Sequence, residues 1–415
     1  MDYENILTAL KNGNVPSSGA LEICMGRDDE IEEFEKLLEN IRDGRSYTKF
    51  INGEFGAGKS FFLKVIEEMA FKKNFVVSWI TLSNEIPFNK FDVVYRNIAK
   101  NLKVKTGKSL EHIIERWITN IKMMAFEETI DPQKQNEFIE STIRSELKEV
   151  REYSNPMAKA IGSYYKFSNM GDYDTANNIQ AWLRGDGQIP FTEKRKFGVK
   201  GDVDKETALK YLGALSIFIK SVGYDGLVVL IDEAEFIMNL HTQKLRDIAY
   251  NYIRDLYDDC NNGKFKNTLF IFGGTPQFFE DHKKGIASYD ALNDRIEDVL
   301  KSSYKDMRKP ILELKGFDKE DLIKITRKLI TMHENAYSWN GAGKFNPIIT
   351  NIVDEHEENA ELTGGKITPR IFIRSLVSVL DTVQQNQDSF RDSSAILDLF
   401  NDKESELEKQ LEEDW

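Results

Sequence analysis

Cysteine and histidine are scarce in this sequence. The 415 residues include two cysteines, Cys24 and Cys260, and five scattered histidines. Such a pair of thiols cannot build a disulfide framework or a four-thiolate zinc site, and no two histidines have the spacing that places metal ligands on one helix face. These absences argue against a disulfide-stabilised secreted fold and against a transition metal held by the protein.

Long apolar runs and an excess of basic residues are also missing. The mean hydropathy is -0.47, and the first residues, MDYENILTALKNG, carry acids where a signal peptide has a basic region followed by an apolar one. The formal net charge of -13 argues against a chain that coats nucleic acid through its overall field. We therefore expect a cytoplasmic protein without a membrane span, in which a DNA contact would need a local basic channel.

A glycine-rich loop is the most specific feature that is present. The segment GEFGAGKS fits GxxxxGK[ST], with an apolar strand before it and a helix-forming run after it. Its residues are Gly53, Glu54, Phe55, Gly56, Ala57, Gly58, Lys59 and Ser60. In such a loop, backbone N–H groups surround phosphate oxygens, the lysine reaches the β and γ phosphates, and the serine hydroxyl binds Mg²⁺. The alternative is a glycine-rich turn that matches by chance.

Acidic residues follow the most apolar stretch of the chain. Residues 227–231 form a continuous apolar run, typical of a central parallel strand, and Asp232 and Glu233 come directly after it. Ligands of open α/β sheets bind at the carboxyl ends of the strands. There one acid can hold Mg²⁺ through its water shell, and its neighbour can orient or deprotonate the attacking water. The alternative is that both acids cap the next helix.

A third strand has the same form. TLFIFGGT ends in Thr275, just before Pro276, and a hydroxyl in that place could position the hydrolytic water. The alternative is a Thr-Pro strand terminator. The rest of the chain predicts an N-terminal segment (1–20), a nucleotide-binding core (21–317) with a helical insertion (about 103–210) that contains no strong strand, a helical lid (318–386) and an acidic tail (387–415). Residues 402–415 of this tail are expected to form a solvated helix or to be partly disordered.

The order of these motifs resembles the AAA+ ATPases of the origin-recognition type. The matching segments are MGRDDE, GEFGAGKS, VVLIDEAE, FIFGGT, ALNDRI and GGKITPRIFIR. Within that group the chain is most similar to the ATP-binding proteins of BREX-type phage-defence loci, through the blocks GYDGLVVLIDEAE and GGTPQFFED. The resemblance implies an α/β fold: an AAA+ P-loop three-layer αβα sandwich with a parallel sheet, a helical insertion and a C-terminal all-helical lid.

The resemblance also implies roles for individual residues. Arg27, with Ile23 and Met25, would border the adenine. In the family's pattern Asp232 holds the water shell of Mg²⁺, Glu233 polarises the water, Thr275 is sensor 1, Arg295 is a finger for a neighbouring subunit and Arg370 is sensor 2 on the lid. Arg246 and Arg254 are rival fingers, and Arg295 could instead pair with Asp294 or Asp298 on its own surface.

The function that the resemblance implies is an ATPase that uses Mg²⁺ and forms a homo-oligomer on binding ATP. It would act as a motor, loader or switch in an anti-phage defence complex, beside a partner helicase, nuclease or methyltransferase. One alternative is a nucleotide-gated scaffold that hydrolyses little ATP. A DExx helicase, suggested by DEAE at 232–235, has no further helicase motif downstream. Little chain follows the lid, so a DNA contact would not use the winged helix of origin-recognition proteins.

Overall fold

The computed structural model describes residues 2–297, 306–362 and 368–413. Asp298 and the GGKI part of the expected sensor 2 motif (364–367) lie outside these ranges. The chain folds into two compact units. The first unit comprises Met1–Glu32, Asn52–Glu68 and Glu313–Trp415, and the second comprises Glu33–Ile51 and Met69–Leu312.

A seven-stranded sheet contains all the strands of the described residues. The strands are β1 (Ser46–Asn52), β2 (Val76–Thr81), β3 (Leu102–Val104), β4 (Gly107–Lys108), β5 (Leu227–Asp232), β6 (Thr268–Gly274) and β7 (Ile311–Glu313), in the spatial order β4-β3-β2-β5-β6-β1-β7. β5 pairs in parallel with β2 on one side and with β6 on the other. Every residue of β5 and β6 is buried, as expected for central strands covered on both faces. The predicted α/β class with a parallel sheet is confirmed.

A short hairpin lies at one edge of the sheet, at the start of the insertion in which the sequence predicts no strong strand. β3 pairs antiparallel with β2, and β4 pairs antiparallel with β3. These strands have three and two residues, which is too few for an alternating pattern to be recognised in a sequence.

Helices make up most of the remaining chain. They are α1 (Tyr3–Lys11), α2 (Ala20–Ile23), α3 (Asp28–Arg42), α4 (Lys59–Lys72), α5 (Phe91–Lys100), α6 (Leu110–Glu128), α7 (Pro132–Glu146), α8 (Lys148–Tyr153), α9 (Asn155–Asn169), α10 (Tyr173–Leu183), α11 (Phe191–Lys196), α12 (Ala208–Ser221), α13 (Gln243–Asn261), α14 (Pro276–Glu280), α15 (Asp290–Ile296), α16 (Lys319–Tyr337), α17 (Ala342–Phe345), α18 (Ile349–Leu362), α19 (Pro369–Gln385) and α20 (Ser393–Glu413). In the described ranges, no helix has both the length and the apolar character that crossing a bilayer needs.

The core of the second unit extends from the sheet into the helical insertion. Trp117 on α6 and Trp182 on α10 are both buried in it. The Trp117 ring meets Phe218 edge-on, with 5.3 Å between centroids, and the Trp182 ring lies 5.6 Å from that of Tyr211. These two tryptophans therefore pack the insertion against α12, and they are not exposed for stacking on bases.

The first unit has a separate core, formed by α1 and the C-terminal helices. We call α16–α19 the lid helices. α20 packs on them, because Ile396 and Phe400 are buried in this core. The Glu404 carboxylate, also buried, lies 2.6 Å from Nδ1 of His356. The end of the chain is thus helical, one of the two forms expected for residues 402–415, and most of the other described acids of α20 lie on the side away from the core.

Candidate functional site

The glycine-rich loop connects β1 to α4 and belongs to the first unit. Gly56 and Gly58 have φ of +80° and +90°, a conformation that residues with a side chain rarely adopt. Gly56 also has a steric reason to be glycine, because a Cβ there would lie 2.9 Å from the Thr368 side chain. Thr368 directly precedes α19 and its hydroxyl does not cap that helix. Thr368, the residue before α19, therefore lies against the loop.

Lys59 is held inside the loop by the loop's own backbone. Its Nζ donates to the carbonyl oxygens of Gly53, at 2.8 Å, and Glu54, at 3.2 Å. The residue is buried, at 8% exposure, and begins α4. Ser60 follows in the first helical turn, where backbone N–H groups have no intrahelical partner. The ammonium group and the positive end of the helix are thus both available to an anion in the loop.

Arg27 is placed by contacts that the sequence does not predict. Its guanidinium donates to the Lys315 carbonyl oxygen at 2.5 Å and lies 4.7 Å from the centre of the Phe317 ring. Burial lowers the pKa of Arg27, and the nearby Glu30 carboxylate opposes this effect. These contacts fix the turn before α3 to the segment that follows β7. The expected place of Arg27 beside an adenine stays a prediction.

Arg370 lies in the first turn of α19, beside the turn that follows α1. A Cβ on Gly13 would lie 2.8 Å from Nε of Arg370. One helical turn further along, Nε of Arg374 donates to the Lys11 carbonyl oxygen at 3.2 Å. The N-terminal segment therefore supports the side of α19 from which both arginines project.

The acidic pair belongs to the second unit. Asp232 is the last residue of β5 and is buried, and its Oδ1 accepts a hydrogen bond from the Glu233 backbone N–H at 3.0 Å. Glu233 has φ 56° and ψ 43°, in the left-handed region. This conformation costs a residue with a side chain about 1–3 kcal/mol and is concentrated at functional sites. Glu233 is partly exposed, so its carboxylate can reach solvent at the end of the strand.

Thr275 lies at the same edge of the sheet as the acidic pair. β5 and β6 are parallel, with Ile231 opposite Phe272, so their carboxyl ends are neighbours. Thr275 follows β6 and precedes α14, and its side chain makes no capping hydrogen bond there. The hydroxyl is therefore not used to terminate the strand, although Pro276 begins the next helix.

The three candidate finger arginines all have partners within their own unit. Nε of Arg295 donates to Asp258 at 2.7 Å, and its Nη1 donates to the Ala291 carbonyl oxygen. The partner is thus on α13 and is not Asp294, the neighbour that the sequence suggests. The two rivals are bound as well: Arg254 pairs with Asp255 at 2.7 Å, and Nη1 of Arg246 donates to the Leu240 carbonyl oxygen at 2.8 Å.

Sequence reasoning missed several residues that shape this site. Thr368 and Gly13 were not singled out, and neither were Phe317 and Asp258. TPR, which contains Thr368, and the turn signal Asn12-Gly13 are visible in the sequence, but only the fold brings them against Gly56 and Arg370. The contacts of Phe317 and Asp258 join segments far apart along the chain, and no local pattern indicates them.

Comparison with known protein families identifies the family of this chain. The family described as BREX system ATP-binding protein BrxC/D matches residues 1–395. The chain belongs to this family. No curated protein matches it. The crystal structure of domain III from the Thermotoga maritima replication initiation protein DnaA is 10% identical and covers 92% of this chain and 95% of that chain, with a TM-score of 0.39. At that score the likeness supports no further conclusion.

The residues of this BrxC/D family member fit a nucleoside triphosphate with a divalent cation. The left-handed glycines leave the inner face of the loop without side chains at those positions, and the Lys59 ammonium is held there. The Ser60 hydroxyl is an oxygen ligand of the kind that Mg²⁺ prefers. The chemistry of the donor set therefore agrees with the ATP binding named in the family description.

Proposed function

We propose that this protein is an AAA+ ATPase that binds and hydrolyses ATP with Mg²⁺ as part of a BREX-type defence system. The observation that carries hydrolysis, as distinct from binding, is the conformation of Glu233. The end of a buried strand holds a carboxylate in a costly left-handed conformation, with a buried second carboxylate one residue before it. Capping a helix does not require the left-handed backbone conformation, and the Glu233 side chain makes no capping hydrogen bond.

The proposed roles follow from the position of each side chain. Lys59 and the loop N–H groups would hold the phosphates, and Ser60 and Asp232 would hold a Mg²⁺ ion, which would supply positive charge for the phosphate oxygens. Glu233 orients or deprotonates the attacking water, and Thr275 positions it by a hydrogen bond. Arg370 on α19 is proposed to sense the γ phosphate, and Arg27 to border the adenine. We further propose that the protein assembles into a homo-oligomer on binding ATP and acts as a motor, loader or switch.

Replacing Glu233 by glutamine tests the proposal. Glu233→Gln keeps the size of the side chain and removes its basicity, so we expect ATP affinity within about threefold of wild type and turnover reduced about 10²–10⁴-fold. Affinity is measured by titration calorimetry and turnover by phosphate release. Glu280→Gln, an exposed position at the end of α14, is the control and should leave both quantities unchanged. Equal turnover in Glu233→Gln and wild type would remove the assignment.

A nucleotide-gated scaffold is the second candidate. The observation that favours it is the size of the helical insertion, which shares the core of the second unit and so offers a surface for a partner helicase, nuclease or methyltransferase. A scaffold would bind ATP through Lys59 and show no turnover at any protein concentration, with or without DNA. Phosphate release measured together with light scattering separates the two functions, because the ATPase requires turnover under at least one of these conditions.

A further inference from the structure

The turn between α6 and α7, in the helical insertion, exposes several large apolar side chains. The exposed fractions are 59% for Met123, 40% for Met124, 70% for Phe126 and 95% for Ile130. Met123 and Phe126 are three residues apart and so share one face of α6, and Ile130 follows after the end of that helix. A single exposed apolar residue is ordinary, whereas a concentration of them marks a surface that another molecule covers.

Acidic residues flank these apolar side chains. Residues 123–134 contain Glu127, Glu128 and Asp131, and their one basic residue is Lys134. All four are exposed, and none of the three carboxylates forms an ion pair within the described residues. We call residues 123–131 the acidic tip. A molecule that covers the acidic tip therefore needs exposed apolar groups with positive charges beside them.

A second exposed surface of the insertion has this composition. Phe191, at the start of α11, is 55% exposed, and Arg195 lies one helical turn further along on the same face. Lys200 and, from α9, Lys159 are exposed as well. The turn at Gly198 brings Lys159 close, because a Cβ added there would lie 3.5 Å from Cδ of the lysine. We call Phe191, Arg195, Lys200 and Lys159 the basic patch.

The two acids nearest to the basic patch along the chain are already neutralised by other cations. Glu193 forms an ion pair with Lys196 at 2.8 Å, and Asp202 forms one with Lys194 at 3.0 Å. The three cations of the basic patch form no ion pair in the part of the chain that the structure describes. The patch therefore presents positive charge beside an exposed aromatic ring, although the chain as a whole has a net charge of -13.

We propose that the acidic tip of one copy of this protein binds the basic patch of a second copy. The three carboxylates pair with the three cations, and the methionines of the tip contact the Phe191 ring, since contacts between sulfur and aromatic rings are favourable. Both surfaces are exposed, so they do not cover each other within one chain. Two tips in contact would bring like charges together, and the same acids oppose docking on a bilayer with anionic lipids.

The two surfaces differ, so this contact is heterologous and links copies head to tail. It does not rest on the proposed ATPase, because none of its residues belongs to the proposed nucleotide site. We therefore expect the contact to form with and without ATP. Its failure and the failure of the proposed ATPase are distinguishable, since self-association without nucleotide and phosphate release are separate measurements.

Sedimentation velocity of the full-length protein without nucleotide tests the contact. We expect reversible self-association at up to about 100 μM protein, weakened in about 0.5 M NaCl because the paired charges are on the surface. Glu127→Arg with Glu128→Arg reverses the tip, and Arg195→Glu with Lys200→Glu reverses the patch. Each double variant should associate at least about tenfold more weakly, because like charges then meet. An equimolar mixture of the two should associate again, since the reversed tip of one fits the reversed patch of the other.

Matched variants show whether the effect belongs to these surfaces. Ile130→Ser should weaken self-association about tenfold, whereas Met170→Ser, at a 69% exposed position after α9, should leave it unchanged. Glu357→Arg with Glu358→Arg reverses an acidic pair on α18 and is the control for charge. Circular dichroism confirms that each variant is folded.

Three results would overturn the proposal. The first is a wild-type protein that stays monomeric at about 100 μM; if that monomer also sediments with lipid vesicles, the tip faces a membrane instead. The second is self-association that survives reversal of the basic patch, which would mean that the tip binds a different surface of the second copy. The third is a mixture of the two reversed variants that remains as weakly associated as each variant alone.

Discussion

At the scale of single residues, Gly13 and Arg370 show how a distant segment can set the position of a side chain that is proposed to be functional. The turn after α1 has φ +70° at Gly13, and the space where a side chain would be is taken by Arg370. The atom in contact is near the end of a flexible side chain, so an added methyl group would move Arg370 at little cost. Gly13 is therefore proposed to position the sensor 2 candidate.

Replacing Gly13 by alanine tests this coupling. The left-handed backbone alone should destabilise the protein by about 1 kcal/mol, and the displaced Arg370 should change ATP turnover in the same direction as Arg370→Ala does. Gly263→Ala is a matched control, because Gly263 has φ +69°, also follows an Asn at a helix end, and has nothing within 4 Å of the added Cβ. Thermal unfolding and phosphate release are measured for both variants. A turnover change of the same size in Gly263→Ala would refute the positioning role.

The residues whose place in the fold could be predicted are those whose position depends on neighbours along the chain. The loop from Gly53 to Ser60 is one contiguous segment, and Asp232 and Glu233 follow an apolar run that any buried strand would show. The contacts of Arg27 and Arg295 could not be predicted from the sequence. Their partners, Lys315 and Asp258, are brought to them only by the packing of distant elements. Local patterns predict where a strand ends, whereas the partner of an arginine depends on tertiary structure.

At the scale of elements, α20 combines an acidic composition with a buried apolar face. Its sequence, SSAILDLFNDKESELEKQLEE, is rich in acids, yet Ile396 and Phe400 occupy one side of the helix and are buried. The spacing of four residues between them places both on the face that packs against the lid helices. The strands β3 and β4 could not be predicted from the sequence, because strands of three and two residues are too short to show a period in hydrophobicity. The long apolar strands β5 and β6 were predictable because each residue is buried.

Truncating Phe400 tests whether α20 is part of the lid core. Phe400 is 0% exposed, so Phe400→Ala should lower the free energy of unfolding of the first unit by about 3–5 kcal/mol. Ser405→Ala, at an exposed position on the same helix, should change it by less than about 0.5 kcal/mol. Urea unfolding followed by circular dichroism measures both. Coincident unfolding curves for Phe400→Ala and wild type would mean that α20 is dispensable for this core.

At the scale of the whole molecule, Arg295 raises the question of assembly. Its pairing with Asp258 lies on the surface, with the two side chains 36% and 33% exposed. The hydrogen bond to Asp258 raises the pKa of Arg295, so the side chain stays charged. An exposed pair of this kind contributes little to stability and is readily exchanged for another acidic partner. The contact is therefore compatible with a side chain that turns to a phosphate of a neighbouring subunit.

Mixing two inactive variants tests the finger. A subunit with Arg295→Ala still has the glycine-rich loop and both acids, and a subunit with Glu233→Gln still has Arg295. If the two variants assemble together, some sites should combine the intact loop and acids of one subunit with the intact arginine of the other, and part of the activity should return. We expect Arg295→Ala alone to reduce turnover about 10³–10⁵-fold, and wild-type turnover per subunit to rise with protein concentration. Arg254→Ala tests the rival on α13, and Arg144→Ala, on the exposed surface of α7, is the control. A mixture as inactive as its components would exclude a finger at Arg295.

The first unit is built from three separate stretches of chain, and this has a consequence for synthesis on the ribosome. Ile6, Leu7 and Leu10 on α1 belong to the same core as residues of the lid helices and α20. On the order of 300 residues separate α1 from α16. At a synthesis rate of roughly 5–20 residues per second, the α1 side chains are therefore without their partners for about 15 to 60 s. The intervening second unit can fold during that interval. The apolar side chains of α1 can thus be buried only after the second unit has been synthesised, and α1 is a segment for which a nascent chain would need a chaperone.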